Sequence, residues 1–162
     1  MNPAPYCALV GGIARSLDRL QPLFQLATRC YVSWQFLKSG WLKVTSWDST
    51  LELFRSEYHV PLLPPPVAAV TGAFGELFFP LLIVLGIGSR IGPLGLFFVN
   101  VMAVVSYRQV LLAEGFEAAL AQHVLWGFML AFLVVFGNGR WSLDRLLAAR
   151  VTGARTPLMT GR

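Results

Sequence analysis

Between Val67 and Ile87 the chain reads VAAVTGAFGELFFPLLIVLGI, an apolar run whose one charged residue is Glu76. A bilayer core about 30 Å thick takes roughly 20 helical residues, and this run has that length. Its last part, Leu81-Leu82-Ile83-Val84-Leu85, does not alternate in polarity, so it does not fit a lipid-facing β-strand. Lipid offers no partners to open backbone groups, which leaves a membrane-crossing helix.

Three more apolar runs flank it, at about Leu20–Val44, Ile91–Tyr107 and Ala118–Phe136. The expected fold is therefore all-α: a four-helix transmembrane bundle in a single membrane domain, residues 1–150, with a polar cytoplasmic tail, residues 151–162. Composition agrees. Of 162 residues, 56% are hydrophobic and only 13% charged, against about 25% charged in ordinary soluble domains. The mean hydropathy is +0.61.

The longest connection joins the first two spans. Asp48 or Ser49 is placed to cap a short helix, and Leu51, Phe54 and Tyr58 recur at helical spacing with charges between them. Such a helix lies in the head-group plane. The proline run from Pro61 to Pro66 ends it and opens the next span, and Pro80 is placed to kink that span.

The net charge of +5 comes from 13 basic and 8 acidic residues. The basic residues cluster at the ends of apolar runs, with no basic stretch interleaved with aromatics, so nucleic-acid binding is excluded. With the N-terminus inside, the cytoplasmic set is Arg15, Arg19, Arg90, Arg140, Arg145, Arg150, Arg155 and Arg162, against Lys38, Lys43, Arg55 and Arg108 outside. That bias puts both termini in the cytoplasm. Trp34, Trp41, Trp47 and Trp141 supply an interfacial belt. The N-terminal stretch has no basic region of the kind that opens a cleavable signal peptide. Cys7 and Cys30 form no CxxC pair, and Cys30 reads as a small buried hydrophobe.

Polar groups inside a span are costly and each needs an account. Arg29, Glu76, Asn100 and His123 are the four that stand out. One reading pairs Arg29 with Glu76 and sets Asn100 and His123 beside them, forming a pocket for a quinone head group. Glu76 and His123 would carry its protons, and Tyr107 and Trp126 would line the pocket. The other reading makes the same residues a satisfied ion pair and its neighbours, serving helix pairing alone. Nothing in the sequence has zinc-site spacing, and it contains neither a phosphate-binding glycine loop nor a nucleophile elbow. No bound metal and no covalent cofactor are expected.

Several stretches resemble the DoxX family of small membrane proteins. They are Ser39-Gly40-Trp41-Leu42-Lys43, then Tyr58-His59-Val60-Pro61-Leu62-Leu63-Pro64-Pro65, Gly75-Glu76-Leu77, Leu85-Gly86-Ile87-Gly88-Ser89-Arg90, and Gly137-Asn138-Gly139-Arg140-Trp141-Ser142-Leu143-Asp144. The resemblance spans about Leu20 to Leu146. It implies a multi-pass protein of the bacterial plasma membrane, a subunit of a quinone-linked or thiol-linked redox system, with a protein partner. The alternative it implies is a non-catalytic accessory protein that assists maturation, export or anchoring of a partner such as a metal-binding peptide. Glu76 matches the family's glutamate in the second span; the resemblance assigns it no role.

Overall fold

The computed structural model describes residues 4–137 and 139–153, and among them it is all-helical. The helices are α1 (Ala4–Thr45), α2 (Trp47–Ser56), α3 (Pro65–Leu85), α4 (Ile91–Ser106), α5 (Arg108–Leu111), α6 (Glu117–Phe136) and α7 (Leu143–Gly153). The last nine residues of the expected tail, 154–162, lie outside the described residues; α7 carries the chain as helix to Gly153.

Helix α1 starts at Ala4, well before the expected Leu20, and contains Pro22 without ending there. At about 1.5 Å per residue its 42 residues run to roughly 63 Å, about twice the bilayer core. The short helix expected after it is present. It begins at Trp47, with Ser46 as its N-cap residue and no side-chain cap, so neither Asp48 nor Ser49 caps it. Phe54 of α2 is buried against Ala68 and Ala69 of α3. Helix α3 begins at Pro65, where a missing N–H costs nothing.

Helix α1 packs on α3, α3 on α4, α4 on α6, and α6 back on α1. The core between them is Val32, Phe36, Ile83, Leu96, Leu130 and Leu133. Gly40 fixes the register of α1 against α3: a Cβ there would stand 2.9 Å from Leu77 Cγ and 3.0 Å from Glu76 Cβ. No side chain larger than hydrogen fits without moving α3. Helices α3 and α6 are each long and apolar enough to cross a membrane, and α4 is an apolar helix of 16 residues. Only 11% of the apolar window of α6 is buried. A core helix of a soluble protein would be mostly enclosed; α6 instead turns Val124, Leu125, Phe128 and Val135 outward.

At the end where α3 stops, Gly86 takes a left-handed conformation (φ 70°), and Gly86 and Ile87 both donate their N–H to Leu82 O. Helix α3 has no basic residue in its last turn. Arg29 of α1 supplies that charge from across the interface. Its Nε and Nη2 donate to Ile83 O (2.7 Å) and Val84 O (2.6 Å), and its Nη1 to Trp141 O (2.7 Å). A cation on the last carbonyls of a helix opposes its dipole. Asp144 completes this end by accepting from the backbone N–H of Ser89 (2.7 Å) and Gly88 (3.2 Å). Cys30, next to Arg29, is exposed and not buried as expected, because the buried stripe of α1 runs through Thr28, Arg29, Val32, Ser33 and Phe36 and Cys30 falls outside it.

Arg29→Met is therefore expected to lower stability by about 3 kcal/mol, since it strands carbonyls that a charged donor now satisfies. Arg29→Lys should recover only part, because an ammonium lacks the planar fork. Denaturation in detergent followed by circular dichroism checks this; a methionine variant as stable as wild type would show that Arg29 is dispensable.

Candidate functional site

At the opposite end, α1 finishes, α3 begins and α4 finishes, with α2 and the Glu57–Pro64 connection folded over them. A cavity of about 620 Å³ lies here. Its lining is almost wholly apolar, with Phe54, Val60, Pro61, Phe79 and Val99 among the walls and Glu76 and Lys43 as its charged groups.

Lys43 reaches back along α1 and pairs with Glu76, Nζ standing 2.7 Å from Oε2 and 3.0 Å from Oε1. The same ammonium donates to Ser39 Oγ at 2.8 Å. Both charged side chains are nearly buried, at 13% and 9% exposure. A buried charge of this kind persists only when paired.

Two hydroxyls add to the lining. Ser106, at the end of α4, is 3% exposed, and its Oγ has no hydrogen-bond partner among the described residues. Tyr58 is stacked between Phe54 (4.6 Å, 18°) and Tyr107 (4.7 Å, 14°). Its hydroxyl makes no hydrogen bond among the described residues. The Tyr58 phenol is pushed up to about 12, first by burial and then by the charges of Glu76, Tyr107 and Glu57. The connection is tied down beside it: Tyr107 O–H donates to Glu57 Oε2 (2.8 Å), and His59 N–H donates to Ser106 O (3.0 Å).

The polar residues expected to gather in one cluster occupy three places. Glu76 borders the cavity. Arg29 does not pair with it, and the reason is register. With Gly40 against Glu76 and Leu77, Arg29 falls beside Ile83 and Val84, about 10 Å further along α3. Lys43 is the cation within reach. Asn100 and His123 face each other across the α4–α6 contact: Asn100 Nδ2 donates to His123 O (3.0 Å), and Asn100 Oδ1 lies 2.8 Å from His123 Nδ1. Gly127 makes room for them, its open side facing Asn100. Trp126 packs edge-on to Phe36 and His123, and its Nε1 has no partner among the described residues. Neither Trp126 nor Tyr107 lines the cavity. Tyr107 supports Tyr58 from behind.

Sequence reasoning missed Lys43, Tyr58 and Ser106. Lys43 has a legible signal, since Ser39, Gly40 and Lys43 lie within one helical turn of each other; read from the sequence, it counts only toward the orientation of the spans. Ser106 gives no such signal. Among the described residues no group of three or more His, Cys, Asp or Glu side chains is placed to hold a metal ion.

The DoxX family model matches residues 24–109, more than half of the chain. This chain belongs to the DoxX family. DoxX proteins are membrane-associated, which accords with the outward apolar faces of α3, α4 and α6 and makes this a membrane protein in contact with lipid. The DoxX match contains Arg29 and every cavity residue, and it ends before His123 and Trp126. No curated protein and no solved structure matches the chain. The match stops short of the expected Leu146 and leaves out Gly137–Asp144; within it, Lys43, Tyr58–Pro61 and Gly75–Glu76 meet at the cavity, while Gly86 lies at the Arg29 end.

Between pH 10 and 12 the folded chain keeps a Tyr58 proton that the unfolded chain gives up, so folded-state stability should fall as pH rises through that window. Ultraviolet titration of the phenols should show a component near pH 12 that Tyr58→Phe removes. A curve unchanged by the substitution would contradict the raised titration of this phenol.

Proposed function

We propose that this DoxX protein is a four-span subunit of a bacterial plasma-membrane redox complex and binds a lipid-soluble quinone in the cavity between α2, α3 and α4. Helices α1, α3, α4 and α6 are the spans, with both chain ends in the cytoplasm. The arginine and lysine bias supports that sidedness, as does the placement of Arg90, Arg140 and Arg145 at the Arg29 end. A tag at the C-terminus should be reached by impermeant probes only after cells are opened; labelling of intact cells would reverse the assignment.

The observation that carries the quinone reading is the cavity itself. It joins an apolar volume to two hydroxyl donors without partners among the described residues and one buried ion pair. A quinone has that complement: an apolar tail, and two carbonyls that accept hydrogen bonds. Taking two electrons from a partner subunit, it also needs two protons. Glu76 and Lys43 are the titratable pair at the cavity wall. The second reading, an accessory protein without redox chemistry, is favoured by one feature: Lys43 and Glu76 neutralise each other, as a purely structural pair would.

Organic extraction of the protein purified in detergent separates the two. Quinone is expected from wild type and from His123→Ala, and at least a tenfold lower yield from Glu76→Gln and Lys43→Met. Wild type without quinone, or charge variants that keep it in full, would favour the accessory role.

A further inference from the structure

The cavity has a direction. Its hydroxyl end is formed by Tyr58, Pro61 and Ser106, where α3 begins and α4 ends. Its other end reaches Phe74 and Phe98. Both rings line the cavity, yet they are 60% and 65% exposed on the outside of the protein. They therefore frame an opening between α3 and α4. Phe74 lies about 14 Å along α3 from Pro65, and Phe98 about 12 Å back along α4 from Ser106. Each distance is close to half the hydrocarbon thickness. On the four-span reading the opening therefore faces acyl chains near the bilayer midplane, not water.

We propose that the cavity is a lateral port: the quinone enters sideways from the membrane between Phe74 and Phe98, lodges its head group against Ser106 and Tyr58, and leaves its isoprenoid tail in the opening. This inference rests on the quinone reading and adds the route and the part of the ligand that is recognised. The order of the hydroxyls and the opening supports it, with the paired Lys43 and Glu76 side chains nearly buried on the wall at the depth of the opening. An amphiphile in the leaflet that holds the end of α1 has its head at the interface and its tail toward the midplane, and the Tyr58 and Ser106 hydroxyls and the Phe74–Phe98 opening follow that order. The space is not an accident of poor packing. Gly75 is already in contact with Val99, where a Cβ would come within 2.7 Å of Cγ2, so α3 and α4 touch beside the opening. At Gly72, which also lines the cavity, an added Cβ would meet only Phe54 Cζ at 3.5 Å, an ordinary contact. Gly72→Leu therefore fills the cavity without forcing the helices apart.

The test uses the full-length protein in phosphatidylcholine vesicles and a benzoquinone carrying a ten-carbon tail with a terminal diazirine. After illumination, adducts should map to α3 and α4 around Phe74 and Phe98. Excess unlabelled decyl-tailed quinone should suppress them at least tenfold, and so should Gly72→Leu, with its helicity checked by circular dichroism. Adducts confined to residues 58–63 or to α6, with quinone still extractable from the protein, would overturn the port and leave the quinone site standing. Adducts at Phe74 and Phe98 that excess quinone does not suppress would mark ordinary lipid contact and overturn it too. Absence of quinone in both experiments would remove the site and the port together.

Discussion

Close contact between α1 and α3 at Gly40 is the constraint on which the rest depends. Because the two helices run in opposite directions, one contact point sets the partner of every other residue along the interface. With Gly40 pressed against Glu76 and Leu77, Lys43 reaches Glu76 on one side of the contact and Arg29 reaches the last carbonyls of α3 on the other. A shift of one turn would leave both cations without acceptors in a medium that does not solvate them.

The two ends of the molecule use charge differently. At the Arg29 end, one guanidinium and the Asp144 carboxylate bind backbone groups, closing the end of α3 and the turn after it. Every such contact is made within the protein. At the other end the charges pair with each other, and a cavity with free hydroxyls lies beside them. That asymmetry leaves a cavity beside the Lys43–Glu76 pair, where a ligand is proposed to bind, and a closed helix end at Arg29.

Between them, Asn100 and His123 join α4 to α6 through two polar contacts in an otherwise apolar interface. In hydrocarbon such contacts are worth about 1 kcal/mol each, enough to select one helix rotation. Trp126 fills the space beside them. The pair belongs to assembly of the helices more than to the cavity, from which it is separate.

The sequence by itself determined the helical class, the membrane setting and the helix boundaries of α3, α4 and α6 to within about two residues, because length and apolarity are local properties that proline and glycine punctuate. It also marked Arg29, Glu76, Asn100 and His123 as residues needing partners, because a polar group in lipid is conspicuous wherever it sits. Only the tertiary structure decided who those partners are. Pairing depends on helix register and rotation, which a single glycine at position 40 sets and which periodicity does not report. The cavity was illegible for the same reason: Lys43, Tyr58 and Ser106 lie on three separate segments, and only packing brings them to one wall.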